Sequence, residues 1–195
     1  MPHHRAVPAQ IRDYLPSDEQ GWLRCRVLAF LRTAYYDDVI TSKTSPEHGA
    51  ELVAVRDGVV VGVLDLSVDG TLATIDTIAV HPDHQGAGIG TRLLAAAMAR
   101  AASSGAVTID AWTRDDEATL RWYRARVFAE GEHYLHVYAD RSVSPDEPKA
   151  AVDPRPGLDP VKVFAHASLA REAELRQAFR RVHVCRRFSQ PLRRG

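Results

Sequence analysis

Residues 51–80, ELVAVRDGVVVGVLDLSVDGTLATIDTIAV, contain two Asp-Gly pairs, Asp57-Gly58 and Asp69-Gly70, each set between runs rich in β-branched residues. A tight hairpin turn follows the twist of its strands when its central residues take positive φ, which glycine accepts and aspartate tolerates. The spacing therefore predicts three antiparallel strands in a meander that ends at Val80. A sheet is the centre of the fold, and helices from the rest of the chain must cover it.

The flanking periodicities supply that cover. QIRDYL, residues 10–15, reads as a short first strand. Trp22, Leu23, Val27, Phe30 and Leu31 recur at helical spacing, predicting a helix over about 18–32 with Ser17 as its cap. YYDDVITSK continues it as a shorter helix or a loop. Beyond Val80, Leu93, Leu94, Ala97, Met98 and Ala101 form one apolar stripe on a helix over 88–104, with Gly105 as its stop. Then follow a strand over 106–112, a helix over 115–128 opening on three acids, and a strand over 133–139. A proline-rich loop, 141–160, leads to a strand over 161–167. Residues 168–188 read as an amphipathic helix with Leu175, Phe179 and Val182 on one side. The order β-α-α-β-β-β-α-β-α-β-β-α predicts an α/β fold, a mixed sheet flanked by helices, plus a C-terminal helix.

At 195 residues the chain suits one domain, with a core over about 10–167 and a helical extension over 168–195. Its 25 basic and 25 acidic residues balance, which gives no general attraction to nucleic acid or an anionic membrane. Cys25 and Cys185 fit no metal spacing, so a reduced, cytoplasmic protein without disulfide or metal is expected. No apolar stretch approaches a membrane span of roughly 18 residues or a secretory leader. His3 and His4 read as part of a terminal arm rather than as ligands.

HPDHQGAGIG, residues 81–90, joins the last strand of the meander to the next helix. A dinucleotide-binding turn needs a third glycine where Thr91 stands, and needs to follow its strand directly, although Gly86, Gly88 and Asp110 fit. A nucleotide-triphosphate loop needs Lys-Ser/Thr after its glycines, and Gly90-Thr91-Arg92 lacks it. A loop serving only tight packing is a further alternative. Gln85, Gly88 and Gly90 instead match Gln/Arg-x-x-Gly-x-Gly/Ala. Glycines at 86, 88 and 90 clear room for a pyrophosphate, and the helix start adds amides and partial positive charge.

On those residues the chain resembles the GNAT superfamily of acetyl-CoA-dependent acetyltransferases. IAVHPDHQGAGIGTRLL is similar to the family's strand, loop and cofactor helix. DDEATLRWYRARVF is similar to the later segment Asn-x-x-Ala-x-x-x-x-Tyr-x-x-x-Gly-Phe, matching at Ala118, Tyr123 and Phe128. The resemblance implies the GNAT fold, a mostly antiparallel mixed sheet with two splayed central parallel strands, here about 73–80 and 106–112. It implies coenzyme A held by the backbone of Ile78, Ala79 and Val80, and by Gln85, Gly86, Ala87, Gly88, Ile89, Gly90 and Thr91. Asp115, Ala118 and Tyr123 complete the implied cofactor set. Two departures stand out: Asp115 replaces the usual asparagine, and Val127 replaces the glycine before Phe128. A β-branched residue is costly at positive φ, so a different helix end is expected there.

The implied activity is direct transfer of an acetyl group from acetyl-CoA to an amine on a small molecule or peptide. Tyr123 aligns with the family's general acid, which protonates the leaving thiolate; its other reading is a core aromatic beside Leu120 and Val127. Asp76, an acid inside TIDTIAV, is the candidate base, with a structural carboxylate as the alternative. His81 reads as a surface residue of a turn. Acceptor specificity falls to the aromatic and acidic patch Tyr35, Tyr36, Asp37 and Asp38, and to Trp112, each with a plainer structural reading. The arginines at 171, 176, 180, 181, 186, 187, 193 and 194 face only Glu172 and Glu174 nearby. Docking of this segment on the domain or on a second copy in a homodimer is expected, not a nucleic-acid arm. The alternative to an enzyme is an acyl-CoA-binding sensor with little catalysis.

Overall fold

The computed structural model describes residues 8–153 and 155–192. His3, His4, Pro154, Arg193 and Arg194 therefore lie outside the described residues. The fold is α/β, with a mixed, mostly antiparallel sheet and one parallel pair of strands. The chain divides into two compact units, Met1–Ala111 with Ser189–Gly195, and Trp112–Phe188.

The first unit carries β1 (Gln10–Asp13), α1 (Glu19–Phe30), β2 (Gly49–Arg56), β3 (Val59–Asp69), β4 (Leu72–Val80), α2 (Ile89–Ser103) and the start of β5 (Thr108–Thr113). These strands lie in sequence order, and β2, β3 and β4 form the meander anticipated from the two Asp-Gly pairs. Asp57 and Gly58 both take positive φ, 50° and 76°, as the tight hairpin requires. The chain crosses over through α2, so β5 runs parallel to β4, with Leu72–Ile75 opposite Thr108–Ala111.

Strand alternation assigns the two helices to opposite faces. Val53, opposite Val63, packs with Trp22 and Cys25 of α1. Ala54, opposite Gly62, turns to the other face, where Gly62 lies under Ile89 and Leu93 of α2. Asp18, not Ser17, organises the start of α1: its carboxylate accepts from the Leu15 amide at 2.8 Å and from Arg12 at 2.6 and 2.8 Å. A carboxylate can hold a guanidinium and an amide together, which a serine hydroxyl cannot do as strongly.

The second unit carries α3 (Glu117–Arg124), β6 (Ala129–Asp140), α4 (Glu147–Ala150), β7 (Lys162–Ala167), α5 (Glu172–Ala178) and most of β8 (Arg181–Pro191). Its strand order is β8-β6-β7. Leu135, Val137 and Ala139 of β6 pack with Leu175 of α5, with Phe179 just past its end, and with Val182 and Val184 of β8.

The expected C-terminal helix over 168–188 is corrected here. A helix forms only over Glu172–Ala178, carrying Leu175; from Arg181 the buried residues Val182 and Val184 alternate with Arg181 and His183, which is the period of a strand. Two β-branched residues in that alternation outweigh the arginines around them. The arginines also find more acids than their neighbours in sequence: Arg176 reaches Asp115, Arg186 reaches Glu130 and Arg187 reaches Glu132.

The helix expected over 115–128 ends at Arg124, and the chain leaves it through a left-handed residue, the conformation that glycine favours. Val127 adopts φ 63°, Val127 N–H donates to Arg124 O at 3.1 Å, and Phe128 N–H donates to Tyr123 O at 3.3 Å. This is a Schellman closure, completed by the Phe128 ring against Tyr123 at 5.3 Å. The expectation of a different ending is overturned because the two hydrogen bonds and the ring contact outweigh a β-branched residue's resistance to positive φ. Val127 is 79% exposed, so Val127→Gly removes the strain and almost no packing. An increase of about 1 kcal/mol in unfolding free energy is expected from denaturant titration.

His136 supplies a pH dependence. Arg114 Nε donates to its Nδ1 at 3.2 Å, which requires a neutral ring whose Nε2–H donates to the Tyr134 hydroxyl at 3.0 Å. Burial first, and the Arg114 charge second, push its pKa down to about 4. The unfolded chain binds this proton near pH 6.5 and the folded chain only near 4, so the stabilisation is complete above 6.5 and is lost as pH falls toward 4. The loss amounts to at most about 3 kcal/mol. In His136→Gln the fall of unfolding free energy across that window should be visibly shallower.

Candidate functional site

Val80 ends β4, and the chain turns through Pro82–His84 before α2 begins. Local bonds shape this loop: Asp83 N–H donates to His81 Nδ1 at 3.2 Å, His84 N–H to His81 O at 2.9 Å, Gln85 N–H to Pro82 O at 3.3 Å, and Gln85 Nε2 to Val80 O at 3.1 Å. Gln85 thus spans the loop by its side chain. Gly86 and Gly88 have φ 75° and 76°, where a side chain would be strained, and a Cβ on either would meet nothing within 4 Å. Gly88 is the N-cap of α2, no side chain caps the helix, and the first helical bond runs from Arg92 N–H to Gly88 O at 3.1 Å. An exposed glycine turn leading into an uncapped helix presents amides and the positive end of the helix dipole to an anion. Ala87 is exposed, Ile89 is buried against the sheet, and Gly90 and Thr91 form the first turn of α2.

Gly62 sets where that helix starts. A Cβ there would stand 2.8 Å from Ile89 Cγ2 and 3.0 Å from Leu93 Cδ1, so its absence lets α2 settle close on β3. Gly62 also pairs with Val80, tying the helix start to the end of β4. Nothing in the local sequence marks it, because its neighbours Val61 and Val63 read simply as strand.

Asp76 occupies a β-bulge. Leu66 pairs with Ile75 and the adjacent Asp65 pairs with Thr77, so Asp76 is the extra residue on β4. The β4–β5 register ends beside it, at Ile75 opposite Ala111, whereas β4 continues along β3 through Ile78, Ala79 and Val80. A bulge bends its strand and re-aims the side chain at that point. The Asp76 carboxylate reaches solvent and accepts from Ser67 Oγ at 3.1 Å. Its pKa is raised, first by desolvation and also by the Asp110 charge, against the Ser67 hydrogen bonds. Asp110 is buried and accepts from Thr74 Oγ1 at 2.7 Å.

Tyr35, Tyr36, Asp37 and Asp38 lie in a loop after α1, which settles the helix-or-loop alternative. Tyr35 packs on Phe30 at 5.3 Å. The Asp38 carboxylate already accepts from Arg26 Nη2 at 2.9 Å, a partner that sequence spacing does not reveal.

In the second unit, Asp116 caps α3 by accepting from Thr119 N–H at 2.9 Å. Tyr123 is 3% exposed and stacks on Phe188 at 5.2 Å, with Trp122 and Phe128 edge-on. Three rings fix its orientation. Ala118 is exposed on the first turn of α3. Asp115 pairs with His183 Nδ1 at 2.7 Å and with Arg176 at 3.5 Å; burial works to raise its pKa, but the His183 contacts prevail and hold it below the usual carboxylate value. Trp112 is half-buried, edge-on to Tyr134 at 5.2 Å. Among the described residues, no group of three or more His, Cys, Asp or Glu side chains is placed to hold a metal ion. No helix among them is long and apolar enough to cross a membrane.

The family model described as Acetyltransferase (GNAT) family matches residues 10–128. No curated protein sequence matches the chain. Among solved structures, it is similar to the ribosomal-protein-S18-alanine N-acetyltransferase from Escherichia coli, at 14% identity and TM-score 0.58, over 94% of each chain. It is also similar to nourseothricin acetyltransferase, at 17% identity and TM-score 0.59, over 96% of this chain and 100% of that one. A third is the PaiA N-acetyltransferase from Thermoplasma acidophilum in complex with coenzyme A, at 12% identity and TM-score 0.55, over 64% of this chain and 92% of that one. Identities this low establish the fold alone.

Gly62→Val tests the placement of the glycine turn. Its side chain enters the space of Ile89 and Leu93. The expected cost is about 1–3 kcal/mol in thermal unfolding. Amide resonances of Gly86 to Thr91 should shift in the variant while those of the Asp57-Gly58 turn stay in place.

Proposed function

The chain belongs to the acetyltransferase (GNAT) family, and from that premise we propose that it transfers an acetyl group directly from acetyl-CoA to an amine acceptor. The observation that carries the reading is the uncapped, glycine-led start of α2 immediately after β4. Its residues fit a pyrophosphate without a metal: the Gly86 and Gly88 turn leaves room for phosphate oxygens, and the opening amides of α2 supply donors. Acetyl-CoA brings the activated thioester; the chain binds it and moves the protons. Past the bulge, the backbone of Ile78, Ala79 and Val80 is the proposed seat of the pantetheine and the donor that polarises the thioester carbonyl.

An ammonium acceptor must lose a proton before it attacks. Asp76 is proposed as the base: it reaches solvent, and its raised pKa makes it a better proton acceptor than an ordinary aspartate. Tyr123 is proposed as the acid that protonates the leaving thiolate, its ring held by Phe188, Phe128 and Trp122. Tyr35, Tyr36, Asp37 and Trp112 are proposed contacts of the acceptor, with Asp38 fixed to Arg26 and shaping that loop. Asp115 and Ala118 stay in the proposed cofactor set of a single cytoplasmic acetyltransferase domain.

The test pairs binding with turnover. Acetyl-CoA should raise the thermal unfolding midpoint and NAD should not. Release of free thiol from acetyl-CoA is then followed with nourseothricin, spermidine, L-lysine and an alanine-initiated peptide. Saturable acetyl-CoA binding with no thiol release above background for an extended amine panel would identify a sensor instead of an enzyme. Tyr123→Phe should lower kcat by about 10²-fold or more at saturating acetyl-CoA, and Asp76→Asn should remove the acidic limb of the pH–rate profile. Undiminished turnover in the first, or an intact limb in the second, removes that residue from its role.

A further inference from the structure

Residues 31–48 run from α1 to β2 through turns and bends, with no helix or strand. Segments of this length without regular structure are uncommon in compact domains and are usually functional. Two cations fasten this one. Arg26 of α1, 7% exposed, donates to Asp38 O at 2.6 Å and to its carboxylate at 2.9 Å. Lys43, whose side chain is 2% exposed, pairs its ammonium with Glu51 of β2 and, at 3.3 Å, with Asp65 of β3. Its backbone N–H donates to Glu19 Oε1 at 2.9 Å.

Aromatic rings complete the seat. The Lys43 ammonium lies 4.8 Å from the Tyr14 ring centre and 5.3 Å from that of Trp22, and the Arg26 guanidinium lies 5.9 Å from the same Trp22 ring. One buried indole therefore meets both cations, where desolvation makes their attraction to the ring stronger than at a surface.

Glu51 and Asp65 are direct cross-strand partners on the sheet face that packs on α1. Two carboxylates so placed repel unless a cation sits between them. Among the described residues no hydrogen bond of normal geometry reaches the buried Asp65 Oδ1, and the Lys43 ammonium 3.3 Å away offsets its charge. Burial pushes the Asp65 pKa up to about 6 even with Lys43 beside it. The sheet thus carries a paired negative seat whose counter-charge comes from the loop, six residues before β2 begins at Gly49.

We propose that Lys43 is a positioning residue for the acceptor, its buried ammonium pinning loop 31–48 so that Tyr35, Tyr36 and Asp37 are held ready to receive the amine. This rests on the acetyltransferase reading and deepens it: acceptor recognition is set by a cation that does not itself touch the acceptor. Loss of a purely structural ion pair lowers stability without a selective change in the acceptor's KM. A positioning residue changes the acceptor's KM while the donor's KM and kcat stay.

Lys43→Met alone strands the buried Asp65 carboxylate, so the test uses Lys43→Met with Asp65→Asn, leaving Glu51, whose side chain is 24% exposed, to reach water. Hydrogen exchange followed by mass spectrometry should speed up by roughly ten-fold across residues 31–48, with β2, β3 and β4 unchanged. KM should rise by roughly ten-fold for whichever of nourseothricin, spermidine, L-lysine and the alanine-initiated peptide the wild type turns over fastest, with kcat and the KM for acetyl-CoA within about two-fold. The proposal is overturned by unchanged exchange in the loop, by exchange rising equally in the strands, or by an unchanged acceptor KM. Failure of the acetyltransferase reading is separate: it shows in the wild type, as absence of thiol release.

Discussion

Between Ile75 and Thr77, β4 carries one residue more than β3 can match, and the course of β4 through the first unit follows from that mismatch. Before it, β4 is flanked by two strands, β3 antiparallel and β5 parallel. At it, the register with β5 stops. Beyond it, β4 runs on along β3 to Val80 and delivers the chain to the glycine turn. The extra residue is itself an acid, so one irregularity both redirects a strand and fixes a carboxylate at the point of redirection.

Much of this was legible in the sequence because it depended on neighbours. Each Asp-Gly pair acts within its own hairpin, and Gly86 and Gly88 act through their own φ values. Gly105, also at positive φ, stops α2 where the apolar stripe runs out. The bulge was not legible: TIDTIAV reads as a plain strand with one acid, and only the partner strand shows that a residue has been skipped. Gly62 was hidden for the same reason, since what it makes room for lies in a helix that starts at Ile89. β8 was misread because Leu175, Phe179 and Val182 satisfy a helical period while Val182 and Val184 satisfy that of a strand, and a stretch obeying both is decided by what it packs against.

Charge was the least legible property. The segment from 168 onward looked basic with two acids at hand, yet Asp115, Glu130 and Glu132 pair with its arginines from distant positions. Asp38, read in the sequence as part of an acidic patch for the acceptor, is held by Arg26. The Lys43 seat gathers residues 14, 22, 43, 51 and 65, a spacing that no motif expresses. Balanced composition hid how thoroughly the charges are assigned to one another.

The end of α3 has a bearing on how such chains are found. Valine at 127 sits at a positive φ that ordinarily favours glycine, since the turn is closed by amides and a ring contact rather than by the freedom of one residue. A signature that demands the glycine describes the least strained way of making the turn, not the turn itself. A pattern that made that glycine obligatory would reject this segment although Ala118, Tyr123 and Phe128 fit it, whereas a search phrased in backbone angles and in the Tyr-Phe contact would retain it.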